Sequence, residues 1–312
     1  MNNPQDIPVL LIVFNRVGPT KSVVDRLREI KPRKLYIAAD GPRANKEEDF
    51  AKTEETRRFL DENIDWECEV KKKYSEKNLG CKYNPQDAID WLFAHEEEGI
   101  ILEDDCIPDT SFFEFCFELL ERYRQDLRVF GITGTSVVKE SWDSNESYYF
   151  SEYVQTWGWA TWKDRWQMHQ SMMEDYTPYL NAPIVGDQLQ NKEAISQIRH
   201  RAKISYEDKT DAWDYIWFYS AFVNNGLFIV PTQNLIMNDG FNEDATHTFN
   251  ATNKRLASQK MSFPLNHPPV VLPHLKWDDI FYKQHYNWRS KWQKLRPWYI
   301  KNFLKSRLLK GR

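Results

Sequence analysis

Ile100-Ile101-Leu102-Glu103-Asp104-Asp105 is the stretch on which the reading of this chain turns. An apolar run with the character of a buried strand ends in three adjacent acids. Carboxylates crowded at a strand end repel one another, and withdrawal from water raises the cost. A divalent cation removes that conflict: Mg²⁺ and Mn²⁺ prefer carboxylate oxygen and also hold phosphates. The plainer alternative is a solvated loop carrying a helix cap, and the surrounding sequence decides between the two.

Working outward, the first 135 residues alternate between strand and helix patterns. Pro8 to Phe14 is a continuous apolar run, as expected of a strand buried on both faces. Helix is expected over Thr20 to Ile30, strand over Leu35 to Ala39, a charged helix over Lys46 to Asn63, and a lysine-rich edge strand over Glu67 to Tyr74. Pro85 to His95 reads as a helix, Gly99 to Leu102 as the fourth strand, and Val129 to Thr133 as the fifth. Ser111-x-x-Glu114 has the spacing of a capping box opening the helix Phe112 to Arg124. Such alternation implies a parallel sheet with right-handed crossovers, in which ligands bind beyond the carboxyl ends of the strands. The unusual polar clusters fall there: Asn15-Arg16, Asp40-Gly41-Pro42-Arg43, Asn78-Leu79-Gly80 and Glu103-Asp104-Asp105. Their coincidence points to a nucleotide crevice.

Composition sets bounds. The chain has 312 residues, 41% apolar and 28% charged, which fits a globular fold of one large or two modest domains. Its net charge of −4 argues against nucleic acid as a partner. Cys68, Cys81, Cys106 and Cys116 are scattered without a Cys-x-x-Cys pair, which fits a reducing cytoplasm and indicates neither zinc nor a disulfide framework. Met1 to Asp6 is polar and lacks a signal-peptide core, and no apolar run approaches the ~20 residues that span a bilayer.

Beyond residue 135 the character changes. Tyr148 to Trp166 reads as aromatic and irregular, with Trp157-Gly158-Trp159-Ala160-Thr161-Trp162 open to reading as core or as a sugar platform. Trp213 to Asn224 reads as a helix, Phe228 to Pro231 as a short strand, and Asn234 to Thr248 as a polar loop. Residues 136–280 are expected to form an acceptor-binding half packed on a nucleotide-binding half, 1–135. In the tail, 281–312, the span from Tyr286 onward holds five Lys, four Arg and no acid, interleaved with Trp, Phe and Leu. That mixture suits peripheral contact with an anionic inner membrane face, or equally a docked helix with a basic outer face.

Several nucleotide-using classes are excluded by what is missing. There is no Gly-x-x-x-x-Gly-Lys-Ser/Thr loop and no Gly-x-Gly-x-x-Gly after the first strand. Phosphates must then be met by a cation and basic side chains. At this point the chain resembles glycosyltransferases of the GT-A fold. The resemblance is nearest to bacterial transferases of surface-polysaccharide loci, and it extends to the inverting N-acetylglucosaminyltransferases of N-glycan and O-mannose synthesis. It rests on Phe14-Asn15-Arg16, on Asp40, on Glu103-Asp104-Asp105 followed by Pro108-x-x-Ser111-Phe112-Phe113, and on Ala212-Trp213-Asp214, across roughly residues 7 to 250.

The resemblance implies a Rossmann-like, mostly parallel α/β sheet flanked by helices, with a mixed acceptor-binding C-terminal half. It implies a UDP-sugar donor, Mn²⁺ or Mg²⁺, and a glycan or lipid-linked acceptor. Phe14, Asn15 and Arg16 would line the nucleotide site, Asp40 would meet uracil, Asp104 the ribose, Asp105 the metal, and Glu103 the donor sugar. Asp214 would be the general base, with Asp211 as rival. Asn15 stands where relatives carry Asp, and Tyr215 where they carry a second Asp. Asn78 and Gly80 fit either the nucleotide or a simple turn, and Lys82 and His247 are further candidates for the phosphates. Competing readings are a sugar-1-phosphate nucleotidyltransferase and a non-catalytic carbohydrate-binding protein.

Overall fold

The computed structural model describes residues 3–138, 144–174, 176–181, 192–240 and 257–285. Its first part alternates as the sequence pattern predicts: β1 (Val9–Val13), α1 (Val17–Ile30), β2 (Lys34–Ala39), α2 (Glu47–Asn63), β3 (Glu69–Tyr74), α3 (Gly80–Phe93) and β4 (Glu98–Glu103). There follow β5 (Cys106–Pro108), α4 (Ser111–Tyr123), β6 (Val129–Thr133), β7 (Tyr148–Ser151), β8 (Trp159–Trp162), α5 (Lys163–Glu174), α6 (Thr177–Asn181), α7 (Lys192–Tyr206), α8 (Asp214–Val223), β9 (Leu227–Pro231), β10 (Ile236–Asn238) and α9 (Leu275–His285). Eight strands form one sheet in the order β3-β2-β1-β4-β8-β6-β9-β7, and β5 and β10 make a separate ribbon.

The sheet is mixed but mostly parallel. β1 runs parallel to β2 and β4, and β2 to β3. β8 lies antiparallel between β4 and β6, and β7 antiparallel on β9. The aromatic segment Tyr148 to Trp166 is therefore not irregular. It supplies two strands, one of them wedged into the centre of the sheet, so the sheet draws on residues from both sides of residue 135.

Alternation along each strand feeds two apolar layers, because successive side chains point to opposite faces. In β1, Val9, Leu11 and Val13 join α1, α2 and α4, whereas Leu10 and Ile12 join α3, α5 and α8. In β8, Ala160 and Trp162 face the first layer and Trp159 the second. Each fully buried Val, Leu or Ile contributes roughly 1.5–3 kcal/mol, so a sheet covered on both faces needs no further stabilisation.

Two sequence expectations are corrected here. The capping box at Ser111 does not form: Asp109 Oδ1 accepts the Ser111 N–H at 2.9 Å and its hydroxyl at 2.6 Å. The nearer carboxylate takes the helix-start donors, so Glu114 has no reciprocal role. The Trp157 to Trp162 run is largely core, with Trp159 and Trp162 almost fully buried.

α9 docks on β7 through a buried acid. Asp278 accepts from the Ser151 hydroxyl at 2.5 Å and the Glu152 N–H at 3.0 Å, and burial pushes its carboxyl up to about 7 against those two donors. Between the ordinary carboxylate range and pH 7 the native state then binds more protons than the unfolded chain, so stability falls as pH rises through that window. Asp278→Asn should flatten that slope; thermal melts that stay parallel between pH 4.5 and 7.5 for the two proteins would refute it.

Candidate active site

The carboxyl ends of β1, β2 and β4 lie side by side, so their following residues share one crevice. From β1, Arg16 reaches the acids that end β4. Its Nε lies 3.2 Å from Asp104 Oδ2, and its Nη2 bonds Asp104 Oδ1 and, at 2.9 Å, Asp105 Oδ2. Burial opposes the Arg16 charge, but Asp104 and Asp105 outweigh it and hold the guanidinium above its ordinary range.

The three acids stand in an environment that asks for positive charge. Burial, then Asp105, Asp104 and Asp214, push the Glu103 carboxyl up to about 8. Burial likewise pushes Asp104 up to about 6, with Arg16 pulling the other way. Asp214 is thus close enough for its charge to act on Glu103. It opens α8 directly after Trp213, whose ring is packed against Trp159 at 5.9 Å between centroids. Trp217, one turn further, lies 5.4 Å from Trp159 and 5.3 Å from Trp166. The buried tryptophans therefore anchor the start of α8, where Asp214 stands. Asp211 is exposed.

A turn that the sequence reading passed over closes on the same acids. The Asp239 N–H donates to the Asp105 carbonyl at 2.9 Å, and the Gly240 N–H to Asn238 Oδ1 at 2.8 Å. A Cβ at Gly240 would overlap Asp105 Oδ2 and crowd Asn238 Oδ1, so any larger residue there would have to displace the Asp105 carboxylate. Asn238-Asp239-Gly240 was legible as a turn from composition, though not as a neighbour of Asp105.

Asp40 is fully engaged. Its Oδ1 accepts the N–H groups of Gly41 at 2.8 Å and Leu79 at 2.7 Å, and its Oδ2 accepts Gly80 N–H at 2.9 Å and Asn78 Nδ2 at 2.9 Å. Asn78 also donates to the Gly41 carbonyl at 2.8 Å. Burial raises the carboxyl, opposed by these N–H donors. Asp40 and Asn78 thus hold the β3–α3 connection against the end of β2. Gly41 permits it: a Cβ there would meet the Lys77 backbone at 2.5–2.7 Å.

Lys82 is also committed. It is buried, and its ammonium bonds the Ser205 carbonyl and Asp208 Oδ1, which ties α3 to the turn after α7 rather than to the acidic cluster. Asn15 Nδ2 donates to Asp49 Oδ1 at 2.9 Å, and Arg43 sits over Phe14 with its carbon Cζ 5.3 Å from the ring centroid. Asp49 escaped the sequence reading, because residues joined across a loop and a helix start have no periodic signature. His247 and the tail from Tyr286 lie outside the described residues.

Among the described residues no group of three or more His, Cys, Asp or Glu is arranged as a metal cage. Asp105 presents a partly exposed carboxylate beside the buried Asp104. That donor set fits a hard cation which keeps waters and takes phosphate oxygens, since Mg²⁺ and its like use one or two protein carboxylates. A cleft of about 1070 Å³ lies at the other end of the sheet beside Arg28, Arg33 and Trp66. Its arginines are already paired with Asp25, Asp65 and Asp6.

No protein-family model matches the chain, and no curated protein matches it in sequence. Its fold is similar to that of several solved structures. A mannosyltransferase from Pyrobaculum calidifontis, in complex with GDP-Man and Mn²⁺, shares 12% identity over 71% of each chain with a TM-score of 0.38. Residues 1-349 of TarS from S. aureus share 10% identity, covering 74% of this chain and 59% of that one, with a TM-score of 0.39. A UDP-glucose pyrophosphorylase complexed with UDP-glucose shares 11% identity, covering 53% of this chain and 80% of that one, with a TM-score of 0.29. At overlaps of this size the argument for function rests on the site alone.

Proposed function

We propose that the chain is an inverting, metal-assisted glycosyltransferase that moves a sugar from a UDP-sugar to a hydroxyl of a glycan or lipid-linked acceptor, in surface-polysaccharide synthesis. The observation that carries this reading is the strand-end triad Glu103-Asp104-Asp105, bridged by Arg16, with Asp214 near enough to act on Glu103. Residues 1–135 supply the donor side, with Asn15 and Arg16 near the nucleotide and Asp104 toward the ribose. Residues 136–280 supply the acceptor side.

Asp105 would hold Mn²⁺ or Mg²⁺, which when bound supplies Lewis-acid charge against the departing diphosphate. Arg16, which bonds Asp104 and Asp105 beside it, would add its charge against a phosphate oxygen. Asp214 accepts the proton of the acceptor hydroxyl as its oxygen bonds the anomeric carbon and the bond to the diphosphate breaks. Glu103, between the two, orients the donor sugar. Positioning and charge account for most of the acceleration. The buried Trp cluster supports this by fixing α8.

Incubation with UDP-sugars and Mn²⁺ tests the reading: UDP release that rises with an acceptor glycan supports it. Pyrophosphate release from a nucleoside triphosphate and sugar phosphate would replace it with the nucleotidyltransferase reading, and binding without turnover with the non-catalytic one. The basic, aromatic tail from Tyr286 supports a second part of the proposal, peripheral contact with an anionic membrane. Among the described residues no helix is long and apolar enough to cross one. Full-length protein that ignores anionic liposomes at low salt would end the membrane proposal.

A further inference from the structure

Saturation of Asp40 leaves the base end of the proposed crevice without a reader. An ionised carboxylate offers about four acceptor positions, and four donors from Gly41, Asn78, Leu79 and Gly80 occupy those of Asp40. Base recognition must then come from elsewhere along the ends of β1 and β2.

One side chain there is built for it. Arg43 sits over Phe14, its Cζ 5.3 Å from the ring centroid. Its Nε and Nη2 both bond Asp49, the second at 2.9 Å, and its own backbone N–H reaches Asp49 Oδ2 at 3.3 Å. The Asp49 side chain is wholly buried and is held from another side by Asn15 Nδ2 at 2.9 Å. Arg43, with Asn15 assisting, holds the Asp49 carboxyl down at about 2, so this anchor stays charged at any working pH. The guanidinium is thus immobilised before any ligand arrives, which cuts the entropy lost on binding.

Its remaining edge is open. The Arg43 side chain is 38% exposed, and Nη1 meets no acceptor among the described residues. The platform is also continuous with the acidic end of the crevice, since Arg16, two residues beyond Phe14, bonds Asp104 and Asp105. A ligand with a flat base at one end and a diphosphate at the other spans both.

We infer that Arg43, set over Phe14 and pinned by Asp49, selects the donor's base by donating from Nη1 to the keto oxygen on uracil C4 or guanine C6, so that the site takes uracil or guanine and rejects cytosine and adenine, which carry an amino group at that position. The inference rests on the nucleotide-sugar reading above. A guanidinium has donors only, so the amino group that cytosine and adenine carry in place of that oxygen faces a donor and finds no partner.

Calorimetric titration of UDP, GDP, CDP and ADP in the presence of Mn²⁺ tests it, on wild type, Arg43→Ala, Arg43→Lys and Asp49→Asn. Wild type should prefer UDP or GDP over CDP and ADP by about 10–100-fold, the worth of one hydrogen bond to a charged group. Arg43→Ala should lose that preference while keeping its affinity for pyrophosphate. Arg43→Lys, which keeps the charge and loses the plane, should lose the preference too, and it serves as the deciding variant if alanine does not fold. Asp49→Asn should weaken the preference by releasing the guanidinium. If wild type binds none of the four, the nucleotide reading and this inference fall together. If wild type binds them without a keto preference, or the Arg43 variants keep the wild-type ratio, Arg43 is not the selector and the nucleotide reading stands.

Discussion

Asp105→Ala should abolish cation-dependent UDP binding and reduce sugar transfer by about 10³-fold or more, the several kcal/mol that a metal contributes against a phosphate leaving group. Asp105 has a partly exposed carboxylate, and among the described residues its Oδ2 accepts from Arg16. Removing it leaves Arg16 its two bonds to Asp104. It also removes the largest of the charges that press on the Glu103 proton. The variant should therefore melt no lower than wild type when no cation is present. Calorimetry with UDP at increasing Mn²⁺ separates the outcomes: unchanged cation-dependent affinity in the variant would end the claim that Asp105 holds the metal, whatever becomes of activity.

Legibility from sequence followed the physics of each segment. β1 and β4 were plain because strands buried on both faces need unbroken apolar runs, and Val9–Val13 and Ile100–Leu102 comply. β8 was missed although Trp159-Ala160-Thr161-Trp162 is equally buried, because two tryptophans in four residues suit a core, a loop or a ligand platform alike. Only its place between β4 and β6, which is a tertiary fact, makes it a strand. The triad at the end of β4 was legible because three adjacent acids after an apolar run are costly unless something compensates them. Arg16 was legible as a site residue, yet its bridge to Asp104 and Asp105 was not, since partners 88 and 89 residues apart have no local signature.

Asp40 and Lys82 show the converse limit. The family resemblance marked Asp40 and residue type marked Lys82 as candidates for a nucleotide, and both are held by neighbours from distant segments: Asp40 by the β3–α3 connection, Lys82 by Ser205 and Asp208. A buried charge must be satisfied by something, and sequence does not say whether that is ligand or protein. The same rule, turned around, singles out Arg43, whose two inner nitrogens are satisfied by Asp49 while the outer one is not.

Asp214→Asn should leave donor affinity near that of wild type and lower turnover by about 10²–10⁴-fold, the range for removing a positioned general base. Asparagine preserves the shape of the side chain at the start of α8 and cannot take a proton. The fold should be unaffected, because α8 is anchored by Trp213, Ile216 and Trp217, all buried, rather than by the acid that opens it. The distinguishing measurement is a split between steps: UDP binding, measured alone, should be retained while acceptor-dependent UDP release is lost. Wild-type turnover in Asp214→Asn together with a dead Asp211→Asn would move the base to Asp211, which lies exposed three residues upstream. Loss of donor binding in Asp214→Asn would instead mean that the acid shapes the donor pocket through Glu103, on which its charge acts, and the base would have to be sought on the acceptor side.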